Sequence, residues 1–173
     1  MKITIFGLAG TGTSTVGKLL ASKLGFSFLS AGDVFRKKAS DLGLTLLEFH
    51  NLAVDDPSID KECDEEIKEY GAKNTGFVIE SRLSWHFVPD SIKVRLFADS
   101  DERISRVAKR DGQLFKLAKE NIAEREANDA ERYHKFYGID NIDDPAKFDL
   151  NIDTTSTPAE AVVDKIIEFV NNK

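Results

Sequence analysis

The sequence predicts an α/β fold, in which helices cover both faces of a five-stranded, mostly parallel sheet. Short apolar segments alternate with amphipathic helical segments along the chain, and this alternation is typical of parallel strands joined by helices. A glycine-rich turn joins the first apolar segment to the first helical one, as in strand–loop–helix units. The 173 residues are enough for one compact domain with its own core.

Five segments have the apolar, β-branched character of buried strands. They are residues 2–6, 26–29, 76–80, 92–98 and 148–153. Seven further segments carry apolar residues at helical spacing, or residues that start and end helices. They are residues 14–24, 31–42, 44–54, 59–70, 101–111, 114–137 and 159–170. We also expect Trp85 and Phe87, which follow the third strand, to lie in the core.

Three of the predicted helices lie between the second and third strands, where a parallel crossover needs only one. We therefore expect an inserted helical subdomain at about residues 31–74. The core of the single domain then comprises residues 1–30, 75–110 and 138–173.

The composition is acidic, with a net charge of −6 and 41% hydrophobic residues. This charge argues against a broad nucleic-acid-binding surface, so an anionic ligand would need locally clustered arginines.

The apolar run at residues 3–9 is too short for a signal peptide or a membrane span, and we expect no membrane partner. Cys63 is the single cysteine. It excludes an intramolecular disulfide, is expected to be an ordinary side chain and fits a cytoplasmic location.

The turn Gly7–Ser14 is the most informative local motif. Its glycines let backbone N–H groups point inward at an anion, and the following helix adds its positive end. The Ser14 hydroxyl is placed to ligate Mg²⁺. The P-loop pattern G-x-x-x-x-G-K-[ST] would have lysine where this chain has Thr13. The turn is therefore a structural turn, a non-catalytic nucleotide site, or a P-loop whose missing charge is supplied elsewhere. The flanking strand and helix argue against a purely structural turn.

Charged residues elsewhere are expected near this turn. Glu80 and Arg82 come at the end of the third strand, and ligands of parallel sheets bind beyond the carboxyl ends of strands. Arg125, Asp129 and Arg132 have the spacing of one helical face; the alternative is an exposed ladder of ion pairs that contributes little to stability. A second basic face follows the fourth strand and carries Arg103, Arg106 and Arg110.

Several motifs together resemble a known family. They are Gly7–Ser14, Ser30–Arg36, Glu80–Ser84 and Arg125–Tyr133, with the shorter runs Asp56–Asp60, Tyr137–Asp140 and Ile152–Thr155. This series is similar to cytidylate kinases of the archaeal type, which are P-loop nucleoside monophosphate kinases. The resemblance covers nearly the whole chain. A lone glycine loop would be weak evidence, whereas several motifs in order, with matching lengths between them, are specific.

The resemblance implies transfer of the γ-phosphoryl group of ATP, with Mg²⁺, to CMP or dCMP, giving CDP or dCDP. The residues it implies for ATP are Gly7, Leu8, Ala9, Gly10, Thr11, Gly12, Thr13, Ser14 and Thr15. Those for the acceptor nucleotide are Ser30, Gly32, Asp33, Arg36, Arg82 and Asp129, and those for catalysis are Arg82, Arg125 and Arg132. Ser14 and Glu80 are implied for the metal, Glu80 through a bound water. Residues 111–124 would form a lid that excludes water.

Two departures from the family pattern leave alternatives open. Thr13 replaces the P-loop lysine, and Ser81 stands where glycine is usual beside the acceptor site, so its side chain would reshape that pocket. One alternative is another acceptor: AMP, UMP, or a non-nucleotide alcohol with Asp33 as the base. The other is a catalytically weak nucleotide-binding regulator. Nothing in the sequence requires more than a monomer.

Overall fold

The computed structural model describes the backbone of residues 1–173 and all side chains except those of residues 54, 55, 57, 60 and 63. The expectation for the Cys63 side chain falls outside this description. The strands are β1 (Lys2–Phe6), β2 (Ser27–Ser30), β3 (Phe77–Glu80), β4 (Ile92–Phe97) and β5 (Leu150–Asp153). The helices are α1 (Thr13–Leu24), α2 (Ala31–Asp41), α3 (Leu46–Asp55), α4 (Pro57–Lys73), α5 (Ser84–Phe87), α6 (Ser100–Asp111), α7 (Phe115–Tyr137) and α8 (Ala159–Asn171).

The five strands form one sheet in the order β2-β3-β1-β4-β5, and every neighbouring pair is parallel. The predicted α/β fold is therefore confirmed. Ile5 of the central strand β1 lies opposite Glu80 on β3 and Val94 on β4. Because β1 and β3 are neighbours in this register, the loop after β1 and the polar residues that end β3 meet at one edge of the sheet.

Buried apolar clusters lie on both faces of the sheet, because alternate residues of a strand point in opposite directions. Ile3 and Ile5 are fully buried in a cluster that includes residues of α1 and α8. Phe6 packs on the other face with Trp85 and Tyr133. The predicted core position of Trp85 is confirmed, since it is 8% exposed.

The sequence pattern located the five strands to within about two residues and did not indicate two short helices. These are α5 and a 3₁₀ turn at Pro145–Lys147. Neither is long enough to show a helical period. Helices α2, α3 and α4 come between β2 and β3, as predicted, and α3 packs against α7. Among the described residues, no helix is both long enough and apolar enough to cross a membrane.

Candidate active site

The glycine turn after β1 has little room for side chains. Gly10 has φ of +86°, and a Cβ there would lie 2.3 Å from the carbonyl oxygen of Arg103. A Cβ on Gly7 would lie 2.2 Å from Oγ1 of Thr11, whose hydroxyl donates to the carbonyl oxygen of Leu8. Helix α1 begins directly after Gly12, so its free N–H groups face the space that the turn encloses. This arrangement suits an anion.

Glu80 connects three elements at the mouth of this turn. Its carboxylate accepts hydrogen bonds from Oγ1 of Thr13 at 2.9 Å, Oγ of Ser14 at 3.2 Å and Oγ of Ser30 at 2.6 Å. Ser30 also caps α2 by accepting from the backbone N–H of Asp33. Position 13 thus presents a neutral hydroxyl that is bound to Glu80, where the P-loop pattern has a cation.

Ser14 and Glu80 supply the hydroxyl and carboxylate oxygens that Mg²⁺ prefers, so these residues fit the implied metal. Among the described residues, no group of three His, Cys, Asp or Glu side chains could hold a metal ion by itself. A bound Mg²⁺ would therefore also take oxygens from water and from nucleotide phosphates, as Mg²⁺ sites usually do.

A buried carboxylate, Asp129 of α7, lies at the centre of the arginine cluster. Its side chain is 1% exposed and forms ion pairs with Arg82 and, at 2.9 Å, with Nη2 of Arg132. Although burial alone would raise the pKa of Asp129, Arg82 and Arg132 lower it below its ordinary value. Asp129 is therefore ionised and fixes both guanidinium groups. The structure excludes the exposed ion-pair ladder that the sequence allowed for this helix face.

Arg125 lies one turn before Asp129 and belongs to the same cluster. Burial, together with the nearby Arg82, lowers the pKa of Arg125 to about 10, so it is still charged at neutral pH. Its Nε has no hydrogen-bond partner among the described residues. A cation in this state is suited to bind an incoming anion such as a phosphate.

His50 of α3 contacts the same cluster from the inserted helices. It is 4% exposed, and its Nδ1 lies 3.2 Å from Nη1 of Arg132 and 3.6 Å from Oδ1 of Asp129. Burial, together with the nearby Arg125, lowers the pKa of His50 to about 3. His50 is therefore neutral at physiological pH. The sequence predicted no role for His50, since a single histidine in a helix carries no motif.

Other basic residues have separate roles. Arg36 donates to Asp33 at 2.5 Å, and Lys18 lies 3.9 Å from the same carboxylate. The predicted basic face of α6 is divided between different partners. Arg103 pairs with Glu126 and the carbonyl oxygen of Ala9, Arg106 binds the carbonyl oxygens of Gly10, Thr154 and Thr155, and Arg110 pairs with Asp111. Arg103 and Arg106 thus brace the glycine turn.

These features surround one cavity of about 860 Å³. All the residues predicted for ATP, the acceptor, catalysis or the metal line it, apart from Thr11 and Ser30. Thr11 is buried, and its carbonyl oxygen accepts from Thr154. Ser81 lines the cavity, and its Oγ accepts from the backbone N–H of Leu83. His50 and Lys18 also line the cavity, although neither was predicted to do so. Lys18 lies about one helical turn after the glycine loop, and this position could have indicated its place in the site.

Asp129, which the resemblance implies for the acceptor nucleotide, has arginines as its immediate partners. Arg82 and Arg132 occupy its carboxylate oxygens in this structure. A direct contact with the acceptor nucleotide would require one of these guanidinium groups to move. As it stands, Asp129 is suited to position the arginines.

Known proteins are similar to this chain in sequence and in fold. Residues 2–156 match the cytidylate kinase-like family. A cytidylate kinase of Archaeoglobus fulgidus is 44% identical over 174 residues, covering 100% of this chain and 96% of that protein. One of Methanothermobacter thermautotrophicus is 40% identical over 161 residues, covering 93% of this chain and 99% of that protein. A shikimate kinase from Acinetobacter baumannii, solved with shikimate, has a TM-score of 0.64 at 17% identity, covering 99% of this chain and 93% of that chain. This last likeness shows the fold alone.

Proposed function

Since the chain belongs to the cytidylate kinase-like family, we propose that it transfers the γ-phosphoryl group of ATP to CMP or dCMP. The observation that carries the proposal is the arrangement of the cavity. A phosphate-binding turn and a cluster of buried arginines, held by Asp129, line the same space. Two anionic substrates that must meet in line require both features.

The donor side is formed by the residues of the glycine turn and the start of α1. Gly7 to Thr15 would hold the ATP phosphates through backbone N–H groups. Ser14, and Glu80 through a water, would hold Mg²⁺, which supplies charge neutralisation to the phosphates. Thr13 binds Glu80 and so orients this carboxylate, while Lys18 is an exposed cation on the same cavity wall.

On the acceptor side, Arg36 and Arg82 would hold the phosphate of the nucleoside monophosphate. Arg125 and Arg132 would offset the charge that is shared during transfer, because a guanidinium group can bind two phosphate oxygens at once. Ser30, Gly32 and Asp33 lie at the N-terminus of α2 and would complete the binding site for the acceptor nucleotide. An acceptor phosphate is already a nucleophile, so the reaction needs no general base.

The reaction also requires that water be excluded, because ATP would otherwise be hydrolysed. We assign this role to residues 111–124, the turn after α6 and the start of α7. Leu114 is 80% exposed, Phe115 44% and Leu117 47%. Asp111, at the start of this segment, lines the cavity, and these apolar side chains would be buried if the segment closed over bound nucleotides.

Several alternatives follow from particular residues. Thr13 favours a nucleotide-binding regulator with little catalysis, and Ser81 favours a different acceptor base, as in AMP or UMP. An alcohol acceptor would need Asp33 as a base, but this carboxylate is engaged by Arg36. We further propose that the protein acts as a cytoplasmic monomer without a nucleic-acid or membrane partner.

The test is ADP formation by the purified protein with Mg-ATP and a panel of acceptors. The panel contains CMP, dCMP, UMP, AMP, GMP and shikimate, with a no-acceptor control. We expect turnover with CMP and dCMP well above the control. If only another monophosphate were used, that nucleotide would be the acceptor in place of CMP. Turnover with shikimate would favour an alcohol kinase. No turnover above the control would favour the nucleotide-binding regulator.

A further inference from the structure

The walls of the cavity differ in character. One wall carries the glycine turn and the arginines around Asp129. The other is formed by the inserted helices and carries the apolar side chains of Phe35, Leu46 and Ile67 beside the charged Asp33, Arg36 and Asp64. Phosphates require the first wall, whereas the flat, largely apolar faces of a nucleobase fit the second. His50 lies on this second wall, which makes it a candidate to read the edge of a base.

The contacts of His50 assign its tautomer. Arginine has only donors, so Nδ1 of His50 must accept from Nη1 of Arg132, 3.2 Å away. A neutral imidazole carries one proton, which is then on Nε2. Double protonation is disfavoured by the buried position and by Arg82, Arg125 and Arg132. His50 therefore presents Nε2–H, a hydrogen-bond donor, in a fixed state.

This donor is unused. Nε2 of His50 is buried and has no hydrogen-bond partner among the described residues. The ring cannot easily turn to find one, because it stacks on Phe35 with centroids 5.2 Å apart and an interplanar angle of 20°. Burying an unpaired donor destabilises a protein unless something else satisfies it. The position of His50 on the cavity wall makes a bound ligand the natural partner.

We propose that His50 is a specificity-determining residue, whose Nε2–H donates to N3 of the cytosine ring of the acceptor nucleotide. This rests on the proposed function. Cytosine has an unprotonated N3 that accepts a hydrogen bond. Uracil carries a proton on N3, so two donors would face each other and both would be left unpaired. A site that leaves buried polar groups unpaired rejects the wrong substrate strongly.

The experiment compares His50→Asn with His50→Gln, using His134→Asn and His134→Gln as matched controls on an exposed histidine. Asn places its amide near Nδ1 and preserves the contact with Arg132, but does not reach the base. Gln reaches the position of Nε2, and its amide can also turn to present oxygen to uracil. We expect His50→Asn to lower kcat/KM for CMP about 10- to 100-fold and to leave that for UMP nearly unchanged. We expect His50→Gln to retain CMP activity within about tenfold and to gain activity on UMP.

A second test changes the substrate of the wild-type protein, and its result therefore does not depend on whether a variant folds. In 3-deaza-CMP a C–H group replaces N3. The wild-type protein should use it about 10- to 100-fold less efficiently than CMP, whereas His50→Asn should use both alike, since the shared contact is already lost.

Four results would overturn the proposal. The first three are wild-type kcat/KM for CMP in His50→Asn, equal proportional losses for CMP and UMP, and equal use of 3-deaza-CMP and CMP by the wild-type protein. Equal losses would instead make His50 a structural support for Arg132. A wild-type protein that uses UMP as well as CMP also overturns it. Absence of any CMP turnover is a different outcome, because the proposed function then fails as well.

Discussion

At the scale of single residues, Asp129 determines where the arginines lie. A carboxylate that is 1% exposed is tolerated only when it is paired. Here the pairs are Arg82 from the segment after β3 and Arg132 from α7. These two guanidinium groups are therefore held in place before any substrate arrives, and an anion can bind without a large cost of ordering them.

We predict that Arg82→Ala lowers kcat/KM at least about 100-fold, because a charge contact to the transferred group and the support of Asp129 are lost together. Steady-state kinetics with CMP measures this. Arg95→Ala is the matched control, since Arg95 pairs with Asp143 and does not line the cavity. Near-wild-type kinetics in Arg82→Ala would remove this residue from the site.

Thr13 can be tested by restoring the P-loop lysine. We predict that Thr13→Lys gives little gain in kcat, because the hydroxyl of Thr13 already orients Glu80 and a lysine there would pair with this carboxylate. Turnover with Mg-ATP and CMP is the measurement, with Thr15→Lys as a control for an added charge nearby. A large rise in kcat would mean that the site merely lacks a cation.

At the scale of elements, helix α3 carries His50 to the arginine cluster, and its first turn is fixed by a capping box. The Thr45 hydroxyl accepts from the N–H of Glu48, and the Glu48 carboxylate accepts from the N–H of Thr45. This pairing satisfies backbone donors that would otherwise be free at the helix end. It is a local feature that the sequence alone contains.

Removal of this cap should destabilise the protein. We predict that Thr45→Ala lowers the free energy of unfolding by about 1 kcal/mol, measured by urea denaturation. Glu65→Ala, which removes an exposed pair with Lys68, should cost only a few tenths of a kcal/mol. Equal stabilities of Thr45→Ala and the wild-type protein would show that tertiary packing alone holds α3.

At the scale of the whole molecule, the sequence predicted the sheet and the edge where the site lies. Apolar periodicity located the strands, and the rule for parallel sheets brought Glu80 next to the glycine turn. Periodicity could not indicate that His50 reaches Arg132, because these residues are 82 positions apart and their contact depends on how α3 packs on α7. It also could not show that Arg103 and Arg106 support the turn, since both have the same spacing as a solvated basic face.

The buried histidine should make global stability depend on pH. In the unfolded chain His50 takes up a proton below about pH 6.5, whereas in the folded protein its pKa is about 3. The unfolded state therefore binds more protons in this window, and stability falls as the pH falls. Burial is the main cause of this lowered pKa; Arg125, Arg132 and Arg82 add to it, and Asp129 opposes it. We predict that between pH 7 and pH 5 the wild-type protein loses about 2 kcal/mol more unfolding free energy than His50→Asn. The measurement is urea denaturation of both proteins at both pH values. An equal loss of unfolding free energy in the two proteins would contradict this prediction.

The proposed reaction requires that the cavity transfer the γ-phosphoryl group of ATP to the acceptor phosphate and not to water. The most direct measurement uses ATP labelled with ¹⁸O in the γ-phosphate, together with Mg²⁺ and CMP, and follows the label by mass spectrometry. We predict that the label appears in the β-phosphate of CDP, in proportion to the ADP formed. Label recovered in inorganic phosphate without labelled CDP, or no transfer at all, would contradict the account.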